Sequence, residues 1–395
     1  MPQTCNLTRS GVKRATDGDG VLGVSAIKRF KTWLKAMREL GVAEAARQTG
    51  ERAAPTDLEV EKLRVMLSLL NENSQPNANE LNTAVRNIPA AYLTIKNFGY
   101  ELARSMAAAL PVRTDTVAEH VGLNCRASTQ ADLESSWAAH WCGQLKMPLL
   151  FHRKLWELAY VLQAIFEHGH VREGARGLGF GCGVEPLPSY LAAHGVTVTV
   201  TDLPQIEAEE AGWSSTNQHA ADVSMAFQPH LVSRERFDEN VTLRAVDMNA
   251  IPQDLVDHDF CWSICALEHL GSIERGLAFV ENTLNTLKPG GLSVHTTEFN
   301  ISADGETVDN WPTVLFQRKH FEMLASRLRA LGHDVAHLDY GLGDRPLDRF
   351  IDLPPFHHDL PDDLADWLGA PQHLKVAVDG FAATCYGLII RKKKA

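Results

Sequence analysis

A glycine-rich turn near the middle of the chain offers the clearest chemistry in the sequence. The segment GLGFGCGVEP places Gly179, Gly181 and Gly183 between a predicted strand and a predicted helix. Glycine lets a backbone turn tightly and lets a ligand approach it closely. The next predicted strand ends at Asp202, where a carboxylate can accept hydrogen bonds from both hydroxyls of a ribose. These residue types in this order predict a binding site for a nucleoside.

Glycine spacing and charge narrow the type of nucleoside. Dinucleotide-binding folds use G-x-G-x-x-G and hold a pyrophosphate at the helix N-terminus, whereas this chain has G-x-G-x-G. Glu185 lies where the anion would sit, so its carboxylate would repel a pyrophosphate but suit a ligand with an ammonium and a sulfonium. S-adenosylmethionine carries those charges and no phosphate. A P-loop is excluded because no Gly-Lys-Ser/Thr follows the turn.

Five segments in this order resemble the motifs of the class I S-adenosylmethionine-dependent methyltransferases. They are GLGFGCGVEPL, VTVTDLP, AVDMN at 245–249, ICALEHL at 264–270 and LKPGGLSV at 287–294. The resemblance covers residues 174–300 and continues through the closing strands to residue 391. The segments HRKLWELAYVLQAIFEHG and HLKVAVDGFAATCYGLIIRK also resemble bacterial methyltransferases of polysaccharide or secondary-metabolite pathways.

The resemblance implies both a fold and an activity. We expect an α/β protein with a Rossmann-like, seven-stranded methyltransferase sheet, a helical N-terminal extension and S-adenosyl-L-methionine as cofactor. We expect methyl transfer to a small molecule or saccharide in bacterial biosynthesis, with oxygen favoured as the acceptor atom. N- or S-methylation of a small metabolite stays open, as does a cofactor-binding scaffold without turnover.

The same resemblance implies which residues hold the cofactor. The glycines would cradle its methionine end, Asp202 and Leu203 its ribose, and Asp247 with Met248 its adenine. The full set is Gly179, Gly181, Gly183, Glu185, Asp202, Leu203, Asp247, Met248 and Cys265. Structural alternatives exist: a turn without a ligand, a helix N-cap at Asp202, a surface-loop acid at Asp247 and a partner for the helix dipole at Glu185.

Two titratable residues are candidates for catalysis. His269 follows the fourth strand of the resemblance, where an acceptor approaches the methyl group, and an imidazole can take the proton of a sugar hydroxyl. Glu298 lies with His295 on or past the fifth strand and could be a base, a hydroxyl anchor or a metal ligand. The alternative for His269 is a helix cap made with Glu268. No D-x-D or H-x-x-H/E cluster stands out beside them, so metal independence is favoured.

An aromatic and basic stretch precedes the glycine turn. Trp141, Arg153 and Trp156 could form a lid over the cofactor or, with His295, a wall of the acceptor pocket. Indole faces suit both sugar rings and cations, which supports that interpretation. Hydrophobic packing of the helical region on the sheet explains the same residues equally well.

A parallel sheet is needed to bring these segments together. From residue 174 onward, short apolar runs alternate with helical patterns, which predicts β-α-β units with binding loops at the carboxyl ends of the strands. The last strands have little helix between them and are predicted to be antiparallel. We therefore expect a mobile lead over 1–24, a helical domain or lid over 25–170 and the methyltransferase domain over 171–395.

The segment 26–40 is predicted to form a basic amphipathic helix. Its apolar residues recur at helical spacing and its polar face is rich in lysine and arginine. Such a helix can lie on an anionic membrane surface. Packing on its own domain, or on a second copy in a homodimer, is favoured over contact with a membrane.

Composition limits the remaining classes of protein. The 395 residues include 38 Lys+Arg and 49 Asp+Glu, and the net charge of −11 disfavours a nucleic-acid partner. Apolar residues make up 45% and charged residues 22%, as in globular rather than disordered chains. The seven cysteines form no C-x-x-C pair, and no apolar leader or membrane-length apolar run occurs. These features predict a reduced, cytoplasmic protein without a membrane span.

Overall fold

The structure, a computed structural model, describes residues 70, 75–77, 79, 85, 88–111, 113, 116–204, 222–302 and 304–394. The chain divides into two units, Met1–Val85 and Arg86–Ala395, and the fold below is that of the second unit. The lead predicted over 1–24 and the basic helix predicted over 26–40 lie outside the described residues.

Four helices precede the main strands of this unit. They are α1 (Ile88–Ala109), α2 (Gln130–Leu133), α3 (Ser136–Gln144) and α4 (Arg153–Glu167). Side chains of Thr129, Ser135 and His152 cap the first turns of α2, α3 and α4 by accepting backbone N–H groups. Helix α4 is buried through its whole middle because it packs on both α3 and the sheet. Helix α4 belongs to the same unit as the sheet that it packs on.

The sheet contains ten strands within the described part of the chain. They are β1 (Arg126–Ala127), β2 (Arg176–Phe180), β3 (Thr197–Asp202), β4 (Val241–Ala245), β5 (His258–Ile264), β6 (Leu287–Asn300), β7 (Asp334–Val335), β8 (Ile351–Asp352), β9 (Lys375–Val378) and β10 (Phe381–Arg391). The described residues also form the helices α5 (Leu187–Ala193), α6 (Arg234–Asn240), α7 (Ile273–Thr283), α8 (Arg318–Ala330) and α9 (Asp362–Leu368).

The strand order creates a crevice at one point of the sheet. Across the sheet the order is β4-β3-β2-β5-β6-β10-β9-β8, and β1 and β7 also pair with β10. Strands β4, β3, β2, β5 and β6 run parallel, so their carboxyl ends share one edge. The chain winds outward from β2 through β3 to β4 and then returns to β5 on the other side of β2. Ligands bind doubly wound sheets at such a switch point.

Antiparallel strands close the other end of the sheet, as the sequence predicts. Strand β10 pairs along its length with β6 on one edge. Its other edge is shared by β9, β1 and β7, which pair with successive segments of β10. The seven expected strands are β4, β3, β2, β5, β6, β10 and β7. Strand β9 adds to this set and lies in HLKVAVDG, which the sequence also predicts to be a strand. Strands β1 and β8 were not predicted, because two-residue strands are too short to show an alternation of apolar residues in the sequence.

Both faces of the sheet are covered. Every residue of β5 is buried, as expected for a parallel strand between two helical layers. Aromatic side chains fill these layers, among them Trp156, Phe180, Phe260, Trp262 and Phe279. No helix within the described ranges combines the length and the hydrophobicity that crossing a bilayer requires.

Candidate active site

A cavity of about 490 Å³ lies at the switch point of the sheet. Its wall comes from the carboxyl ends of four neighbouring strands and from one helix. The lining residues are 181–186 after β2, Asp202 and Leu203 at the end of β3, 246–249 after β4, 264–266 with His269 and Leu270 around the end of β5, and Lys154 and Leu158 of α4. The volume is within the range of small-molecule sites, roughly 300–1,000 Å³. The structure thus brings together the predicted cofactor residues, with the exception of Gly179.

The glycine turn shapes one side of this cavity. Gly181 and Gly183 have φ values of +59° and +51°, in the left-handed region that glycine adopts without strain. A Cβ on Gly181 would lie 2.9 Å from the Cβ of Ala266, so the loops after β2 and β5 approach closely only because of the glycine. Gly179 lies behind the wall, where a Cβ would be 2.2 Å from the Sγ of Cys182. Packing inside the turn therefore accounts for Gly179.

Two carboxylates on the wall are held by backbone N–H groups. Asp202 accepts hydrogen bonds from the N–H of Gly183 at 3.1 Å and from that of Leu203 at 2.8 Å. Asp247 accepts one from the N–H of Asn249 at 2.8 Å. Met248, next to it, lies opposite the glycine turn, since its Sδ would be 3.5 Å from a Cβ on Gly181. Both carboxylates are thus oriented by backbone groups at the strand ends.

An acid and an amine line the wall near each other. Glu185 accepts a hydrogen bond from the indole N–H of Trp262 at 3.1 Å. Burial raises the pKa of Glu185 to about 8, and the nearby negative charges of Glu157 and Asp202 add to the effect. Lys154 of α4 lines the same cavity, and its charge partly opposes that rise. Arg153, which the sequence predicts to belong to a lid or to the acceptor pocket, does not line the cavity. Adjacent residues of a helix point about 100° apart, so the register of α4 decides which of the two faces the cavity.

His269 and Cys265 follow β5 directly on the wall. His269 ends the 3₁₀ turn Leu267–His269, and its Nδ1 lies 3.1 Å from the carbonyl oxygen of Pro312 and 3.2 Å from the hydroxyl of Thr313. These contacts orient the ring. Cys265 has a φ of +44°, which is uncommon outside glycine and is found often at functional sites.

Trp141 and Trp156 lie in the core rather than over the cavity. The indole N–H of Trp141 donates to Gln163 at 2.6 Å, and that of Trp156 donates to Asp132 at 2.9 Å. Both rings are almost fully buried, and neither lines the cavity. The structure therefore favours the packing alternative over a lid, because the apolar faces of α3 and α4 turn these side chains towards the interior.

His295 and Glu298 lie on opposite faces of β6. Strand side chains alternate, so positions three apart point to opposite sides. The ring of His295 contacts Phe279 of α7, and its two nitrogens lie 2.8 and 2.6 Å from the hydroxyls of Ser263 and Ser293. Burial lowers the pKa of His295 to about 3. This neutral, enclosed histidine is separated from the cavity, whereas Glu298 faces α4 and forms an ion pair with Arg153.

A group of charged side chains, with buried carboxylates and a half-exposed lysine, adjoins the cavity. This group, called here the charged cluster, consists of Arg153, Lys154, Glu157, Glu268 and Glu298. Lys154 belongs to both the cluster and the cavity wall. Cys265 on the wall lies among the carboxylates, with its Sγ within 4.8 Å of an oxygen of each. Burial would raise the pKa of Glu157, but the charges of Lys154 and Arg153 outweigh it and hold that pKa below its usual value.

Parts of this cluster have metal-ligand chemistry. Two groups of side chains have potential ligand atoms within 4.8 Å of one another: Glu157 with Cys265 and Cys385, and Cys265 with Glu268 and Glu298. The guanidinium of Arg153 already contacts Glu298 and the Sγ of Cys385. A metal ion would have to displace that charge.

Residues 155–340 match the family model described as a methyltransferase domain. This part of the chain is a methyltransferase domain. The match supports an enzyme of the class I S-adenosylmethionine-dependent type, with S-adenosylmethionine as its cofactor. No curated protein sequence matches the chain.

Solved structures with similar folds are distant from this methyltransferase domain. The [4+2]-cyclase SpnF is 19% identical, with 61% of this chain and 84% of that chain covered and a TM-score of 0.38. A Haemonchus contortus phosphoethanolamine N-methyltransferase 2, in complex with phosphomonomethylethanolamine and S-adenosylhomocysteine, is 14% identical, with 59% and 52% covered and a TM-score of 0.37. An S-adenosylmethionine-dependent methyltransferase from Mesorhizobium loti is 17% identical, with 58% and 96% covered and a TM-score of 0.31.

Proposed function

We propose that the protein transfers a methyl group from S-adenosylmethionine to a hydroxyl oxygen of a small molecule or saccharide. One observation carries this proposal: the cavity at the switch point joins oriented carboxylates, an acid–amine pair and a histidine in a single wall. The acidic net charge of −11 supports a small acceptor over nucleic acid. A cytoplasmic role in bacterial biosynthesis, and a homodimer, accompany the proposal as predictions.

The cofactor would be held by groups of matching charge and hydrogen-bonding capacity. Lys154 would bind the methionine carboxylate, and Glu185 the ammonium beside it. Asp202 would accept hydrogen bonds from the ribose hydroxyls, and Asp247 would accept one from the adenine amino group with Met248 against the ring. Among the described residues that line it, the wall has no cluster of cations of the kind that binds a pyrophosphate, which supports the adenosyl cofactor over a dinucleotide.

The reaction would need the protein mainly for positioning and for proton removal. S-adenosylmethionine supplies an electrophilic methyl group on a sulfonium. His269 would accept the proton of the acceptor hydroxyl. The oxygen of that hydroxyl would bond to the methyl carbon as the carbon–sulfur bond broke, and the electron pair of that bond would stay on sulfur. Pro312 and Thr313 hold the imidazole in place for this step. Positioning of this kind can supply a large share of the rate enhancement.

Transfer from methyl-labelled S-adenosylmethionine tests the proposal. The full-length protein is incubated with panels of alcohols and saccharides, amines, and thiols, and S-adenosylhomocysteine release is measured with the label in each product. We expect release with at least one hydroxyl acceptor and the label in an ether. Label in amines or thiols alone would contradict the oxygen assignment. Cofactor binding without release on any panel would favour the scaffold alternative.

A further inference from the structure

The charged cluster is only partly satisfied by the protein itself. Each of its carboxylates has one oxygen held: Thr296 donates to Glu157, Thr297 donates to Glu268 at 3.0 Å, and Arg153 pairs with Glu298. Glu157 and Glu298 are also among the most buried acids described, with side-chain exposures of 0% and 6%. The protein thus supplies a partner for one oxygen of each of these carboxylates.

Three buried atoms of the cluster have no hydrogen-bond partner within the described residues. They are Oε1 of Glu157, Oε2 of Glu298 and Nε of Arg153. The Nζ of Lys154 lies 3.4 Å from Oε1 of Glu157 and forms an ion pair with it without a hydrogen bond. Leaving a buried polar atom without a hydrogen-bond partner is unfavourable, and more so when the atom is charged. Retaining three such atoms beside a ligand cavity indicates that a ligand completes their hydrogen bonds.

The pattern of the unpaired atoms selects the chemistry of that ligand. Two of them accept hydrogen bonds and one donates. An ammonium can donate but cannot accept, and an ionised phosphate or carboxylate can accept but cannot donate. A hydroxyl does both. The cluster also carries one more negative than positive charge when all five groups are ionised, which disfavours anionic ligands, while Arg153 and Lys154 disfavour a metal cation.

We propose that Glu157, Glu298 and Arg153 form a subsite for neighbouring hydroxyls of a neutral, saccharide-like acceptor. This proposal rests on the proposed function, since it concerns the acceptor of the same reaction. Glu157 and Glu298 accept hydrogen bonds from the hydroxyls, and Nε of Arg153 donates one to a hydroxyl oxygen. Cys265 and Lys154 connect this subsite to the cofactor wall, so the bound polyol lies next to the cofactor cavity. The three residues set specificity and hold the acceptor, and His269 takes its proton.

Saturation-transfer NMR on the full-length protein with S-adenosylhomocysteine bound tests this subsite. The probes are methyl glycosides of glucose, galactose, mannose and rhamnose, together with glucosamine as a cation and glucuronate as an anion. We expect saturation of at least one neutral glycoside in preference to both charged sugars. No glycoside signal, or stronger signals from the charged sugars, would overturn the subsite. The labelled-methyl assay on the same preparation separates this outcome from a failure of the proposed function, because label in an ether together with no glycoside signal would overturn the subsite alone, whereas label in amines or thiols alone, or no release on any panel, would overturn the proposed function.

Three variants test whether the glycoside binds to the unpaired atoms of Glu157, Glu298 and Arg153. Glu298→Gln and Glu157→Gln should each weaken the glycoside about tenfold or more, because a hydrogen bond to a charged group is lost. Arg153→Lys keeps a cation opposite Glu298 but removes the Nε donor, so it tests the subsite even if a glutamine variant folds poorly. Cofactor affinity should change little in Glu298→Gln and Arg153→Lys, because neither side chain lines the cavity. Unchanged glycoside binding in folded variants would overturn the assignment.

Glu281→Gln provides the matched control. Glu281 of α7 also has a buried oxygen without a hydrogen-bond partner, but it lies next to Arg327 and outside both the cavity and the cluster. Its substitution should leave glycoside binding unchanged. An equal loss in this control would show that the effect comes from general destabilisation.

Discussion

The cofactor wall and the charged cluster lie side by side but are built in different ways. On the wall, the carboxylates of Asp202 and Asp247 are oriented by backbone N–H groups. These groups lie one or two residues further along the chain or, for Asp202, also in the turn after the neighbouring strand β2. In the cluster, Arg153, Glu157 and Glu298 come from a helix and a strand far apart in the sequence and orient one another through side chains. The wall therefore follows from local sequence motifs, whereas the cluster exists only after α4 has packed on β6.

This contrast separates a shared function from a specific one. A site defined by backbone geometry accepts the same cofactor wherever the motif occurs. A site defined by paired side chains changes its ligand with a few substitutions. We therefore assign cofactor recognition to the strand ends and acceptor recognition to the cluster, and substitutions in the two regions should affect different steps.

The largest effect is expected at the boundary between the two regions. His269→Ala should lower turnover about 100-fold or more, the usual range for loss of a general base, and should leave the dissociation constant of S-adenosylhomocysteine nearly unchanged. Steady-state kinetics with calorimetry on the same preparation measures both. His358→Ala, an exposed histidine in another 3₁₀ turn, is the control. Full turnover in His269→Ala would remove the base from the mechanism.

Loss of the Asp202 carboxylate, which is proposed to bind the ribose, should weaken cofactor binding only. Asp202→Ala removes two hydrogen bonds to a charged acceptor, so cofactor affinity should fall about 30-fold or more. Asp254→Ala removes an exposed carboxylate that pairs with Arg244 outside the cavity and should have no effect. Calorimetry compares the two. An unchanged dissociation constant in a folded Asp202→Ala protein would exclude this residue from the site.

Cofactor affinity should depend on pH through Glu185. Burial raises its pKa to about 8, so much of the unliganded protein carries a neutral carboxyl at neutral pH. The cofactor ammonium favours the ionised form, so binding should release a proton and strengthen as pH rises towards 8, by at most about tenfold per pH unit. Calorimetry in buffers of different ionisation enthalpy counts the proton.

Glu185→Gln tests the origin of that pH dependence. The variant should bind with a flat profile between pH 6 and 8, while Glu101→Gln, which alters an exposed acid paired with Arg104, should keep the wild-type profile. An unaltered slope in Glu185→Gln would assign the proton to another group.

The smallest effect on function is expected from a substitution in the core behind the cofactor wall and the charged cluster. Trp156→Phe loses the hydrogen bond to Asp132, so the free energy of unfolding should fall by about 1–3 kcal/mol. Turnover and cofactor affinity should stay unchanged because the ring does not line the cavity. Urea denaturation measures the stability, with the exposed Trp367→Phe as control. A loss of activity without a loss of stability would restore the lid interpretation.

The sequence predicts the wall well because its signals are local. Glycines that need left-handed backbone, such as Gly181, and an acid at a strand end, such as Asp202, can be recognised without knowing the packing. Gly179 belongs to the same motif but serves the packing of Cys182, and only the structure separates the two roles. In the fold, long strands were predictable from their apolar runs, whereas the two-residue strands β1 and β8 depend on pairing with β10 and β9.

For residues outside the motifs, it was harder to predict whether the side chain faces the cavity, because its direction depends on the register of the strand or helix that carries it. His295 and Glu298 are three positions apart on β6 and therefore point to opposite helical layers. Arg153 and Lys154 are adjacent on α4, yet only Lys154 lines the cavity. A periodicity test on β6 would have separated the first pair. The second pair required the position of α4 against the sheet.

Calorimetric titration of the full-length protein with S-adenosylhomocysteine, and in parallel with NAD, tests the central claim most directly. We predict one binding site for the adenosyl ligand and no heat of binding for NAD. Binding of NAD at the same site, or no binding of S-adenosylhomocysteine to folded protein, would contradict the account.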